Sequence, residues 1–150
     1  MSRPKVFVIL GPTSSGKSDL AVKLALTIKG EVISADSRQV YKGLDIGTGK
    51  ITKKGRRGVP HYLLDVVNPK KVFTVLDYKK LAEEKVSEIL ARGKAPIICG
   101  GTGFYIDAVT SGKIFPQVPP NEKLRKILGK KTTEELLKTL KKLDAKRAKN

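Results

Sequence analysis

At 150 residues the chain is one compact domain or part of a larger one, long enough to bury a core. Its single cysteine, Cys99, excludes a disulfide framework and a cysteine-based metal site, and no run nears the about 20 apolar residues of a membrane span. A formal charge of +17, from 31 Lys+Arg against 14 Asp+Glu, predicts a polyanionic partner, with nucleic acid first. The N-terminus shows no signal-peptide pattern, so the expected location is cytoplasmic.

Val6–Leu10 is a continuous apolar run, as expected of a buried parallel strand. It leads into Gly11-Pro12-Thr13-Ser14-Ser15-Gly16-Lys17-Ser18, which is G-x-x-x-x-G-K-[ST] between a strand and a helix. That context makes a phosphate cradle. Backbone N–H groups and the helix N-terminus face the anion, Lys17 neutralises the outer phosphates, and the Ser18 hydroxyl is the candidate Mg²⁺ ligand. The following helix puts Leu20, Leu24 and Ile28 on one face and is expected to end at Gly30.

A second strand is expected over 31–35, ending at Asp36. Residues 36–61 lack periodicity, and their glycines and basic residues predict loops. Lys50, Lys53, Lys54, Arg56 and Arg57 form an acid-free basic cluster suited to polyanions. A third strand is expected over 62–67, with Asp65 a candidate Walker-B-like acid; His61, the only histidine, reads as structural. Thr74 and Asp77 form a capping box for a helix that turns Tyr78, Leu81, Ala82, Val86, Ile89 and Leu90 inward and stops at Gly93. A strand over 95–99 follows, with Cys99 buried and inert. It runs into Gly100-Gly101-Thr102-Gly103 and a short helix holding Phe104, Tyr105, Ile106 and Val109.

Strands alternating with helices predict a parallel sheet with ligands at its carboxyl edge, where loops 11–18, 36–39 and 100–103 gather. Asp36 there is placed to bind Mg²⁺ through water or to accept a proton, or else to cap a turn. Prolines 116, 119 and 120 mark a break, giving a core over 1–115 and a basic helical segment over 116–150. Residues 121–150 hold eleven lysines and arginines and four acids. Helices are expected over 121–128 and after Thr132, where Glu135 completes a capping box and Leu136, Leu137, Leu140 and Leu143 form the apolar face.

In order and spacing, GPTSSGKS, ISADSRQVYKGLDIGTGK, GVPHYLLDV and PIICGGTGFYIDA resemble the N-terminal half of the tRNA dimethylallyltransferase family. The resemblance implies an α/β P-loop NTPase-like parallel sheet flanked by helices, with the start of a helical insertion domain. It implies transfer of a dimethylallyl group from dimethylallyl diphosphate to N6 of adenosine-37 in tRNA, with Mg²⁺ as cofactor. By the same resemblance Gly11, Pro12 and Thr13 to Ser18 hold the diphosphate and Asp36 is the general base. Asp36, Ser37, Arg38 and Gln39 contact the target adenosine, Thr102 lies near the reaction centre and Arg125 touches tRNA.

The same resemblance casts this chain as a fragment, a split protein completed by a second chain, or a minimal variant, otherwise a monomer. A four-strand remnant is then expected to expose a sheet edge and part of its apolar face. The alternative functions are an ATP-binding small-molecule or nucleotide kinase and a non-catalytic RNA-binding fragment.

Overall fold

The computed structural model describes residues 5–112, 115 and 118–149. The chain forms two compact units, residues 1–115 and 116–150. In the first, β1 (Phe7–Leu10), α1 (Lys17–Ile28), β2 (Gly30–Ser34), β3 (His61–Tyr62), α2 (Val75–Ala91), β4 (Ala95–Gly100) and α3 (Gly103–Thr110) follow in order. The four strands make one parallel sheet in the order β1-β4-β2-β3.

Strand alternation sorts the core into two faces. Val32, Ile97 and Cys99 pack with Ala21, Val22 and Ala25 of α1. Ile33 and Ile98 pack with Tyr78, Ala82 and Ile89 of α2 and with Tyr105 and Ile106 of α3. In register, Val32 stands opposite Ile97 and Ile33 opposite Ile98. Each fully buried isoleucine there removes enough apolar surface to stabilise the fold by about 2–3 kcal/mol. Tyr78 and Tyr105 stack with centroids 4.0 Å apart, joining α2 to α3. At the amino edge of the sheet the buried Glu31 accepts from Tyr62, Arg92 and Lys94. Burial alone raises its pKa; the hydrogen bonds from Lys94, Tyr62 and Arg92 outweigh that and hold it below the usual range.

Four expectations about the elements are corrected. First, β1 is an edge strand among the described residues, so Phe7, Val8 and Leu10 stay exposed at 38%, 43% and 57%. The expected exposed edge and apolar face are therefore both present. Second, α1 buries Ala21, Val22 and Ala25, with Leu24 and Ile28 partly buried against the same cluster, while Leu20 faces outward. Small side chains let the helix lie close on the sheet.

Third, Lys29, not Gly30, takes the left-handed helix cap, at φ 53°. Gly30 opens β2, where a Cβ would stand 2.8 Å from the Ala95 carbonyl oxygen. Fourth, the third strand is only two residues long, because Leu63 and Asp65 adopt φ of 59° and 57° and leave the ladder. The chain re-pairs only at a bridge between Tyr41 and Val67.

That re-pairing has an electrostatic anchor. Lys50 was expected to belong to a polyanion-binding cluster. Its side chain is instead 3% exposed, and Nζ donates to Asp45 at 2.7 Å, Asp65 at 2.6 Å and the Tyr41 carbonyl at 3.0 Å. Burial pulls its pKa down, but the bonds to Asp45 and Asp65 prevail and raise it. Asp65, the candidate Walker-B-like acid, is thereby bonded to Lys50.

Capping boxes at Thr74–Asp77 and Thr132–Glu135 form as the sequence predicts. The second unit holds α4 (Glu122–Leu128), α5 (Thr133–Leu143) and a 3-10 turn at Arg147–Lys149. Neither helix has a buried residue, and Leu136, Leu137, Leu140 and Leu143 remain open. Pro116 lies outside the described residues; Pro119 and Pro120 are in irregular chain before α4.

Gly100 is the tightest position: a Cβ there would stand 2.1 Å from the Ala35 carbonyl oxygen. We expect Gly100→Ala to cost about 3 kcal/mol or more in urea unfolding. Gly47→Ala, with open space around it and no positive φ, should stay within about 0.5 kcal/mol. Lys50→Met should cost about 2 kcal/mol. Because the Lys50 pKa is raised, its contribution is constant below the ordinary value of 10.5 and fades only as pH rises beyond it. Stability of the wild type and Lys50→Met measured from pH 7 to 11 should therefore converge only at the alkaline end.

Candidate active site

The carboxyl ends of β1, β4 and β2 each continue into a loop, and the three loops touch. Ala35 N–H donates to the Cys99 carbonyl at 2.8 Å, and Thr102 N–H returns a bond to the Ala35 carbonyl at 3.1 Å. The two chains cross at Gly100, where only a glycine fits. Gly101 in turn lies against the phosphate loop, its would-be Cβ 3.5 Å from the Gly11 carbonyl oxygen. Sheet register alone brings these ends level, with Leu10 opposite Gly100 and Ser34 opposite Cys99.

The phosphate loop wraps an open cavity of about 270 Å³ lined by Ser14, Ser15, Gly16, Lys17, Ser18 and Asp19. Ser14 and Gly16 take positive φ, at 62° and 83°, turning the backbone around the space. Gly16 caps α1 without a side-chain bond, so the helix N-terminus keeps free donors. The Lys17 ammonium donates to the Pro12 carbonyl. Gly11 is close-packed beneath, its would-be Cβ 3.1 Å from Ser15 Oγ. Pro12 and Thr13 are exposed at the rim.

Asp36 begins a turn at the end of β2. Its Oδ1 accepts from the backbone of Arg38 at 2.8 Å and of Gln39 at 3.3 Å. The turn-capping alternative is thus present, but it occupies one oxygen. Oδ2 has no hydrogen-bond partner among the described residues. Thr102 Oγ1 accepts from the Ser37 backbone at 3.0 Å and donates to Ser37 Oγ at 3.3 Å, locking loop 36–39 to loop 100–103. Arg38 is exposed.

Gln39 points inward: Oε1 accepts from Ser34 Oγ at 3.4 Å and Nε2 donates to the Thr48 carbonyl at 3.1 Å. Arg125 stands on exposed α4 in the second unit.

Behind Ser18 lies a small cavity of about 20 Å³, room for one water, with Ser18, Ser34, Gln39, His61 and Cys99 in its lining. From the sequence His61 reads as structural. Its Nδ1 lies 2.8 Å from the Val59 carbonyl, which only accepts, so Nδ1 carries the proton. Burial, ahead of any other influence, holds the ring's pKa below 6.5 and keeps it neutral at pH 7. The placement of His61 in this lining was not legible from the sequence, because it depends on β3 pairing with β2. Cys99 is buried as expected, and burial pushes its thiol up to about 11.

Among the described residues no three His, Cys, Asp or Glu cluster as a metal site. The donor set fits Mg²⁺ nonetheless, since that ion keeps several waters and binds through few protein oxygens plus substrate phosphates. Ser18 supplies such an oxygen inside the phosphate cavity. No helix among the described residues is long and apolar enough to cross a membrane.

A family model described as IPP transferase matches residues 39–150. A tRNA dimethylallyltransferase of Anoxybacillus flavithermus is 44% identical over 140 residues, covering 93% of this chain and 45% of that protein. Another, from a Thermoanaerobacter species, is 44% identical over 149 residues, covering 97% and 47%. The chain spans about half the length of these curated relatives.

Among solved structures, the full-length tRNA isopentenylpyrophosphate transferase of Bacillus halodurans matches with TM-score 0.75 and 39% identity, over 97% of this chain and 50% of that one. A eukaryotic dimethylallyltransferase acting on tRNA matches with TM-score 0.84 and 32% identity, over 97% and 37%. With a parallel sheet of this order and a family match over most of its length, the chain belongs to the IPP transferase family.

Proposed function

We propose that this chain carries the diphosphate and adenosine sites of a tRNA dimethylallyltransferase. The reaction would move a dimethylallyl group from its diphosphate to N6 of the adenosine just 3′ of the anticodon, in the cytoplasm. The observation that carries the reading is the contact of the three loops: Gly101 against Gly11 on one side, Ala35 crossing Gly100 on the other. It supports a site in which an anion cradle would lie beside a carboxylate with a free oxygen.

In this reading the loop amides of 13–18 and Lys17 hold the diphosphate. As the allylic C1–O bond breaks, both its electrons leave with the diphosphate oxygen, and these groups stabilise the charge that builds there. Lys17 would exchange its Pro12 contact for that oxygen. Ser18 would help to hold Mg²⁺, which would supply further neutralisation of the leaving group. The N6 lone pair forms the new bond to C1, and Asp36 Oδ2 takes the N6 proton.

Asp36 Oδ1, pinned by two backbone N–H groups, fixes the carboxylate's direction. Thr102 and Ser37 hold the loop at the adenine's edge. Gln39 and Lys50 brace that loop from behind, and Arg38 and Arg125 remain exposed for RNA. A base must leave its stack to enter such a site, which suits an adenosine in a loop. The remaining charge, including Lys53, Lys54 and Arg57, would hold the anticodon stem through phosphates.

The test uses labelled dimethylallyl diphosphate, Mg²⁺ and tRNA with unmodified adenosine-37. The chain is assayed alone and joined to the C-terminal half of the Anoxybacillus relative. The joined form should prenylate N6. Asp36→Ala should lower kcat by about 10²–10⁴-fold and Lys17→Ala by at least about 10²-fold. Undiminished turnover in Asp36→Ala would remove the general-base role, and ATP-dependent phosphoryl transfer without prenylation would favour a kinase.

A further inference from the structure

The turn over residues 44–49 presents one large apolar side chain to solvent on a braced support. Ile46 is 99% exposed, and no large apolar side chain among the described residues is more so. Its neighbours are tied down. Asp45 is bonded to the buried Lys50 ammonium at 2.7 Å. Thr48 Oγ1 donates to the Leu44 carbonyl, and the Gly49 and Lys50 N–H groups donate to the Ile46 and Asp45 carbonyls, both at 3.1 Å.

The Thr48 carbonyl is held by Gln39 Nε2, three residues from Asp36. The tip is thus linked to the candidate adenosine segment by a short chain of bonds. Ile46 itself contributes little to the fold, since exposure removes almost none of its surface from water.

We infer that Ile46 is a wedge that enters the base stack of the RNA loop as the target adenosine swings out. The inference rests on the proposed tRNA reading. Apolar side chains that part adjacent bases act this way in other nucleic-acid complexes. Isoleucine suits the task because its β-branched side chain is stiff at χ1 and loses little freedom on insertion. The surroundings favour RNA over an apolar polypeptide as the occupant. Lys42, Lys53, Lys54 and Arg57 flank the turn in sequence and are all exposed, and Lys50, which might have been counted with them, is neutralised inside. An apolar tip with exposed cations close to it in sequence matches stacked bases bordered by phosphates.

The experiment uses an anticodon stem-loop RNA with 2-aminopurine in place of the base 3′ of adenosine-37, whose fluorescence rises on unstacking. Wild type and Ile46→Ala are compared with a second RNA in which that base is missing, so that the gap is already open. Since Ile46 packs against nothing, thermal unfolding should not move. Ile46→Ala should lose most of the fluorescence rise and bind the intact RNA about tenfold more weakly, yet match wild type within about twofold on the gapped RNA. Ile46→Leu should restore part of the signal.

An Ile46→Ala protein that unstacks the base as wild type does overturns the wedge and leaves the adenosine site standing. Equal weakening on both RNAs makes Ile46 a plain surface contact and also overturns it. Unchanged RNA fluorescence with lost association to the relative's C-terminal half assigns Ile46 to a protein interface instead. Wild-type protein that binds neither RNA overturns the tRNA reading and the wedge with it.

Discussion

The crossing of Ala35 over Gly100 is the contact on which the rest of the site depends. A backbone carbonyl occupies the place where any other residue at position 100 would carry its Cβ. This close approach allows the Ala35 N–H and carbonyl to bond to Cys99 and Thr102 in turn. It extends the β2–β4 ladder one step past the sheet and converts two separate loop ends into one surface. Thr102 and Ser37 then close the surface with side-chain bonds, and Gly101 brings the phosphate loop up beside it. A flat carboxyl edge would have left the 11–18 loop and the Asp36 carboxylate with no fixed relation.

Charge is distributed by a similar economy. The basic excess is large, yet the cations best placed to look like RNA contacts do not all serve that end. Lys50 is turned inward to hold Asp45 and Asp65, and Glu31 collects Arg92 and Lys94 at the far edge of the sheet. Those pairs bind loops and termini of elements to one another. Among the cations that remain outward are Lys53, Lys54 and Arg57, together with those of the basic helices α4 and α5. The buried ammonium and the exposed cations come from one short stretch of sequence, and only the three-dimensional path of the 41–67 segment separates them.

That separation explains what the sequence made legible. The strand–loop–helix around residues 11–18, both capping boxes and the periodicity of α2 are local patterns, and each appears where its residues predict. The placement of Asp36 and Thr102 at one edge followed from strand–helix alternation. The misses share a different cause. Nothing near Leu63 or Asp65 announces a left-handed backbone, because the bends are enforced by the bridge to Tyr41 and the bond to Lys50. Gly30 looked like a helix stop because its real constraint, the Ala95 carbonyl, is distant in sequence. The apolar run of β1 reads as a buried parallel strand, and its exposure comes from its edge position in the strand order. The inward side chain of Gln39 likewise depends on Thr48 and Ser34 together.

The central claim is that one continuous site joins the phosphate loop to the Asp36 and Thr102 loops. It is tested most directly by backbone-amide NMR of the chain titrated with a non-reactive dimethylallyl thiodiphosphate and Mg²⁺. The account predicts the largest shifts at residues 11–18, with secondary shifts at 35–37 and 100–103 carried through the Gly11–Gly101 and Ala35–Gly100 contacts. Shifts confined to other surfaces, or a response to ATP with none to the allylic analogue, would contradict it.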